Sequence, residues 1–318
     1  ASDIAWLDPE SGLGNFKPEE IGPVSVQAPN GVIDVLVENE AEAVAVARQY
    51  LSYFQGEVSN WECADQRLLR SAIPENRKQA YDIRSLIQTL ADSGSVLELR
   101  RDFGRAMITA LVRIEGKPIG LIANNPGHLG GAIDADAADK AARFLQLCNA
   151  HRLPVLSLCD TPGFMVGPEA EKTAQVRRFS RMILNGASFE VPVAMVALRK
   201  VYGLGALAMS GGSFEDKTIR LSWPSGEFGG MGLEGAIRLA FGKQLAAIED
   251  PDKRQAQFNA MVAMAYDHGK ASNMAAVMEL DNVIDPAETR RWIMSAFRAW
   301  RKDRPASGNE QRRHIESW

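Results

Sequence analysis

The sequence predicts an α/β protein built on a parallel-type sheet, and three observations carry that reading. First, an apolar run, a glycine-bearing loop and a helix-patterned segment follow one another three times, roughly 40–50 residues apart. Second, each loop follows the end of a strand pattern, so the three should gather at one edge of the sheet, where α/β proteins place ligands. Third, the most distinctive loop, Arg199-Lys200-Val201-Tyr202-Gly203-Leu204-Gly205-Ala206-Leu207-Ala208-Met209, follows the apolar run Val191 to Leu198. A strand that breaks at two near-adjacent glycines and continues into a small-residue helix leaves backbone N–H groups pointing into open space. Such donors stabilise an anion.

Residues 1–30 are rich in Gly, Pro and acids, without a sustained period, and read as an extended arm. A helix is predicted from Asn39 to Phe54: Asn39 can cap it, and Ala43, Val46, Ala47, Tyr50, Leu51 and Phe54 share one face. Residues 56–78 are polar, carry Pro74, and read as a connection. A second helix is expected from Tyr81 to Ala91, with Ile83, Leu86, Ile87 and Leu90 at helical spacing. Then the pattern turns to strands. Arg105 to Ile114 and Pro118 to Asn124 are joined by the hairpin turn Glu115-Gly116-Lys117.

The glycine-rich loop Asn125-Pro126-Gly127-His128-Leu129-Gly130-Gly131 leads to a helix over about Ala135 to Ala150. A strand from Pro154 to Cys159 ends in the turn Asp160-Thr161-Pro162-Gly163-Phe164. A long helix is predicted over 168–187, then strands over 191–198 and Thr218 to Trp223. From Gly235 onward the chain reads as mostly helical, including 250–267 and 286–300. Met261, Met264, Met274, Met278 and Met294 in this region read as core filling.

Composition excludes several classes. With 318 residues, 46% hydrophobic and 24% charged, the chain can bury a sizeable core. A net charge of −4 with no long run of one sign argues against nucleic acid as a partner. The basic tail, Arg301-Lys302-Asp303-Arg304 and Arg312-Arg313, reads as a solvated terminus. Cys63, Cys148 and Cys159 are far apart and form no Cys-x-x-Cys, so buried free thiols in a reducing compartment are expected. His128, His151, His268 and His314 show no metal spacing, so no metal is expected in this chain. No apolar run approaches the ~20 residues that span a bilayer, and no signal segment opens the chain. A cytoplasmic protein with no membrane partner is the expectation.

The loops taken together carry a resemblance. Asn124-Asn125-Pro126, Gly131-Ala132-Ile133-Asp134 and Asp139-Lys140-Ala141-Ala142-Arg143-Phe144 come first. Asp160-Thr161-Pro162-Gly163-Phe164 with Gly167, then Arg199-Lys200-x-Tyr202-Gly203, follow in order, and Tyr81-Asp82-Ile83-Arg84 and Ile114-Glu115-Gly116-Lys117-Pro118 also match. The chain resembles the biotin-dependent acyl-CoA carboxyltransferases of acetyl- and propionyl-CoA carboxylase type over most of residues 22–300. The resemblance implies a crotonase-like (ClpP/crotonase) spiral of ββα units with flanking helices. It implies further that residues 1–78 are an N-terminal arm, helix and linker, the tail of a preceding crotonase-like half. Residues 79–318 would then be the C-terminal, biotin-binding half. The Gly-Gly-Ala-Arg-type loop of the family's N-terminal half is absent from this sequence, so activity is expected to need that half or a partner chain.

What the resemblance implies chemically suits these residues. Carboxybiotin on a carrier domain is the cofactor and an acyl-CoA the substrate. CO2 passes to the acyl α-carbon without a side-chain base, and two oxyanions need stabilising by backbone donors. Gly203, Leu204, Gly205 and Ala206 are the candidate catalytic turn, with Leu204 and Gly205 in register with the family's oxyanion glycine and alanine. Gly130 and Gly131 would shape the facing wall, and Pro162, Gly163 and Phe164 a pocket wall beside biotin. Leu207 matches a position lining the family's acyl pocket. Tyr202 either hydrogen-bonds at the site or packs, and His128 either meets a ligand or stands on a surface loop. Arg199 and Lys200 can attract CoA phosphates, though solvated charge is the simpler reading.

Implied partners are a biotin carboxyl carrier domain, biotin carboxylase, the N-terminal carboxyltransferase half and further copies of this chain, as a dimer that may stack. Two alternatives stay within the resemblance: a non-catalytic docking half for the carrier domain, and a biotin-dependent acyl-CoA decarboxylase subunit. A third lies outside it, because Gly203-x-Gly205-x-x-Ala208 also satisfies the dinucleotide fingerprint. That motif belongs in a first βα unit followed by a strand ending in an acid, and the strand here ends in Trp223-Pro224-Ser225.

Overall fold

A computed structural model describes residue 20 and residues 22–212 and 218–298. The basic tail, His314, and residues 1–19 of the expected arm lie outside the described residues.

Helix α1 (Glu40–Ser52) starts where predicted. The Asn39 side chain accepts from the Glu42 N–H at 3.0 Å, and Glu40 and Glu42 place acids in the first turn. The stretch read as a connection carries a 3-10 segment, Gln66–Ser71, whose Leu69 is buried among Ile83, Leu86 and Leu90. Helix α2 (Ile83–Leu90) is capped by Asp82 and buries all four expected apolar residues.

Strands β1 (Leu97–Leu99), β2 (Met107–Ile114) and β3 (Lys117–Asn124) are antiparallel neighbours, with β2 and β3 joined by a two-residue turn at Glu115-Gly116. From β3 the sheet continues in parallel through β4 (Val155–Thr161), β5 (Val193–Tyr202), β6 (Thr218–Ser222) and β8 (Asn282–Val283); β7 (Glu227–Gly229) pairs in parallel beside the last three residues of β5. Every residue of β2 and β4 is buried, as expected for strands covered on both faces.

Alternation divides the strands between two cores. Met107, Leu111, Ile122, Val155 and Met195 face helix α3 (Ala135–Ala150). Ile108, Val112, Leu121, Leu158 and Val196 face α2 and the last helix among the described residues, α10 (Thr289–Phe297). Asp134 caps α3, accepting from Ala137 N–H at 2.8 Å.

The long helix expected over 168–187 is two: α4 (Pro168–Lys172) and α5 (Gln175–Ala187), separated where Ala174 takes φ 55°. Helix α5 is tied to α3 by Arg178 on Asp136 and Asp139 and by Arg181 on Asp139. Strand β5 runs past Leu198 to Tyr202, because Lys200, Val201 and Tyr202 pair with β7. Helix α6 (Gly203–Met209) follows at once.

Beyond β7 come α7 (Leu233–Ala246), α8 (Pro251–His268) and α9 (Ala271–Ala276). The methionines here are not uniformly core. Met294 is buried, but Met264 and Met278 are 73% and 86% exposed: α8 buries none of its residues, and Met278 lies past the end of α9 at φ 61°. Helix α10 is held by a buried pair, Arg290–Asp92 at 2.6 Å, and the Asp92 carboxylate also accepts from the Glu115 and Gly116 N–H groups of the β2–β3 turn.

Candidate active site

The carboxyl ends of β3, β4 and β5 bring the three sequence loops together, and Asp160 at the end of β4 is where they meet. Asp160 is fully buried. Its Oδ1 accepts from the Lys200 backbone N–H at 3.1 Å and pairs with the Lys200 ammonium at 2.8 Å. Its Oδ2 accepts from the Tyr81 hydroxyl at 2.9 Å and pairs with Arg199 at 3.1 Å. Its backbone N–H donates to Asn124 Oδ1 at the end of β3. Arg199 is itself buried, lies over the Tyr81 ring at 5.0 Å and donates to the Gln79 carbonyl at 2.8 Å. Solvated charge is therefore the wrong description of Arg199 and Lys200. Burial and the Asp160 charge push the Tyr81 phenol well above its ordinary pKa, so it stays a donor.

Two glycines mark backbone contact between these loops. A Cβ on Gly131, which has φ 86°, would strike the Asp160 carbonyl. A Cβ on Gly205 would lie 2.8 Å from Gly163 Cα and 3.0 Å from the Phe164 N. The absent side chain at Gly205 is thus required by the β4 turn and not only by an incoming ligand. Gly163 is also fixed from α3's side, its carbonyl accepting from the Ile133 N–H at 3.0 Å. Phe164 stacks on Phe179, ring centroids 4.0 Å apart.

Helix α6 opens with Gly203 at φ 59°, and no side chain caps it. Helix geometry leaves the first-turn N–H groups without partners inside the helix. Leu204 is 58% exposed, while Gly205 and Ala206 are buried, so the turn meets the surface at Leu204.

Two cavities flank it. Gly203, Ala206 and Leu207 line one of about 530 Å³, with Val201, Phe228 and His268. Gly130, Pro162 and Tyr202 line the other, about 860 Å³, with Arg77, Lys200 and Glu227. His128 is half-buried in the β3 loop and lines neither.

In the larger cavity Tyr202 both packs and hydrogen-bonds: it is buried, and its hydroxyl donates to Glu227 Oε2 at 3.3 Å. Burial and the Glu227 charge raise its pKa. Glu227 pairs with Arg77 at 2.6 Å, and Arg77 lies 4.0 Å over the Tyr266 ring. Burial raises the Glu227 carboxyl pKa against the opposing pull of Arg77. Sequence reading missed Asp160, Glu227 and Tyr266 as parts of this edge. Asp160 stood in a quoted motif, and its position just after a buried strand was the available signal; Glu227 and Tyr266 had none.

Cys148 and Cys159 are buried thiols and Cys63 a half-buried one, all free. Among the described residues no group of His, Cys, Asp or Glu is arranged to hold a metal ion, and no helix is long and apolar enough to cross a membrane.

An α/β protein is thus defined in which an uncapped helix start and a buried carboxylate lie together at the carboxyl edge of a largely parallel sheet, the place where such folds put ligands. Residues 17–315 match the carboxyl transferase domain family, and the chain belongs to that family. It is 33% identical over 300 residues to the methylmalonyl-CoA carboxyltransferase 12S subunit of Propionibacterium freudenreichii subsp. shermanii, covering 91% of this chain and 57% of that one. It is 32% identical over 288 residues to the propionyl-CoA carboxylase beta chain of Saccharopolyspora erythraea, covering 85% and 53%.

The fold superposes on a single-chain, multi-domain long-chain acyl-CoA carboxylase with a TM-score of 0.84 at 55% identity, over 91% of this chain and 28% of that one. The transcarboxylase 12S structure, described as a hexamer assembly with methylmalonyl-coenzyme A bound, matches at TM-score 0.81 and 31% identity, over 95% and 60%. The chain therefore spans little more than half the length of the curated relatives it matches, 57% and 53% in these two cases.

Proposed function

We propose that this chain is the carboxybiotin-binding half of a biotin-dependent acyl-CoA carboxyltransferase. The observation that carries the reading is the convergence of the three family loops. Gly131 abuts Asp160, Asp160 clamps Lys200, and Gly205 seats against Gly163, so residues far apart in sequence form one wall. Membership of the carboxyl transferase domain family supports reading that wall as the cofactor's. The division at residues 78 and 79 and the ββα spiral belong to the same proposal.

The residues fit a neutral, oxygen-bearing ring. The uncapped turn offers amide donors and no charge of its own, so it favours an oxyanion that develops there over one already formed in solution. Bound carboxybiotin supplies the transferable carboxyl group. The Leu204 and Gly205 amides would hold the ureido oxygen, and Gly203 and Ala206 set the turn's direction. Gly130, Pro162 and Tyr202 would wall the cofactor, with Gly131, Gly163 and Phe164 holding that wall in place. Leu207, in the smaller cavity, would meet the acyl group. One well-placed donor is typically worth ~3 kcal/mol of transition-state stabilisation.

The acyl-CoA half would come from sequence outside these 318 residues. Support comes from apolar side chains left uncovered on the helical region: Leu239 is 78% exposed, Met264 73% and Met278 86%. A large partner interface, to that half and to further copies, would cover them. The carrier domain and biotin carboxylase would deliver the carboxyl group.

The test is decarboxylation of malonyl-CoA or methylmalonyl-CoA driven by free biotin, with this chain alone and with an N-terminal carboxyltransferase half added. Activity only in the mixture is the expected result. Activity from the chain alone, or silence from an assembly shown to form, contradicts the proposal.

A further inference from the structure

Away from the sheet edge, a cavity of about 610 Å³ separates α1 from α3 and the β1–β2 hairpin. It shares no lining residue with the two cavities beside α6. Its walls are largely apolar, with Val46 and Ala47 from α1, Leu97 and Leu99 from β1, and Phe144 and Leu147 from α3. The apolar stripe of α1 is therefore only partly covered: Val46, Tyr50 and Phe54 reach the core but do not close the space beside it. Val46 and Tyr50 are only half-buried, and Leu51 remains 56% exposed. An apolar stripe of this kind ordinarily packs against its neighbour or accommodates an apolar ligand.

The polar groups in the cavity are unbalanced. Three basic side chains line it, Arg100, Lys140 and Arg143, against one carboxylate, Asp34. Asp34 is bonded to Arg100 at 2.9 Å, and the Lys140 ammonium donates to the Phe103 and Met107 carbonyls at 2.9 and 2.7 Å. Arg143 differs. Among the described residues no carboxylate pairs with it, and its Nε is buried without a hydrogen-bond partner. Burial and the charge of Arg100 push its pKa down, outweighing the opposing pull of Asp34 and Tyr50. A guanidinium in that condition gains most from a planar carboxylate, which matches its fork. The apolar walls ask for a hydrocarbon tail on the same molecule, and the volume lies within the range of small-molecule sites.

We infer that the cavity between α1 and α3 binds an alkyl carboxylate, with Arg143 gripping the carboxylate and the α1–β1 wall enclosing the tail. An inorganic anion would leave the apolar walls unsatisfied, and a neutral lipid would leave Arg143 unpaired. The inference is independent of the reaction at the sheet edge.

The test is titration calorimetry of the 318-residue chain with decanoate, decan-1-ol and decylamine. Decanoate is expected to bind at least tenfold more tightly than the other two. Arg143→Gln is expected to remove that preference while decan-1-ol binding persists. Ala47→Trp, which fills the cavity, is expected to abolish binding of all three. Thermal unfolding of each variant establishes that it is folded, and Arg143→Lys serves as a second substitution, expected to retain part of the preference. Absence of decanoate binding, equal affinity for decanoate and decan-1-ol, or a preference unchanged in folded Arg143→Gln overturns the inference.

Discussion

Asp160 holds Lys200 twice, through the backbone N–H at 3.1 Å and through the side-chain ammonium at 2.8 Å, from a position with no solvent exposure. The end of one strand thereby fixes the end of the next, three residues before Gly203 opens α6. Arg199 and Tyr81 complete the shell, so the carboxylate is surrounded by donors and its charge is compensated within the fold. Breaking a buried pair from one side leaves uncompensated charge, which costs far more than the pair contributes.

Asp160→Asn should therefore destabilise the chain by about 3–5 kcal/mol, read as a lower urea midpoint at unchanged slope. The double variant Asp160→Asn with Lys200→Met should lose less than the sum of the singles, because both remove one interaction. Additive losses would separate the two residues.

Gly205 is constrained by packing. Gly205→Ala places a Cβ 2.8 Å from Gly163, and the strain should cost about 1–3 kcal/mol. Gly242, within α7, has open space around its missing Cβ, so Gly242→Ala should stabilise by up to about 1 kcal/mol. Thermal melts of the two variants should shift in opposite directions. Gly205→Val is consequently a poor probe of donor chemistry, since it disturbs the fold as well.

Lys140 gives the chain a pH signature. Burial lowers its pKa to about 7 from 10.5, while the unfolded chain keeps the ordinary value. Between those limits the unfolded state binds more protons, so this group makes stability rise with pH from about 7 to 10.5. Melting temperatures of wild type and Lys140→Met should differ in slope across that window, with the rise smaller in the variant. Identical slopes would mean that Lys140 carries its proton in both states.

Thiol reactivity should follow burial. Burial pushes the Cys148 and Cys159 pKa values far up, and neither thiol reaches solvent. Iodoacetamide on the folded chain at pH 8 should label Cys63 alone, and after denaturation all three cysteines should react. Rapid labelling of Cys159 in the native state would show that β4 opens.

Elements with a strong period were legible in the sequence. Asn39 caps the helix it precedes, and Ile83, Leu86, Ile87 and Leu90 are buried together, although their helix starts at Ile83, after the Asp82 cap, and not at Tyr81. Tertiary effects were not legible. Nothing local in 168–187 announces the left-handed Ala174, and β5 is lengthened by pairing with residues 27 positions later, Tyr202 with Gly229 and Lys200 with Glu227. Met264 and Met278 carry a core-like pattern because local pattern does not say which side a helix packs on. At the site, the glycine turns were visible because they need unusual backbone, whereas Asp160 reads as one more acid until its four donors are seen. Arg199 and Lys200 appear solvated for the same reason.

The central claim is that a backbone amide of the α6 turn, and no side chain, stabilises the developing anion. Replacing the Leu204 residue by its α-hydroxy acid turns one amide into an ester, removing the N–H while keeping an exposed side chain and the turn. The measurement is kcat for biotin-driven decarboxylation in the assembly with the N-terminal half, alongside the melting temperature. The prediction is a loss of about 10²–10³-fold in kcat with little change in stability. Unchanged kcat in a folded ester variant would contradict the assignment of Leu204 as a donor and with it the proposed use of this turn.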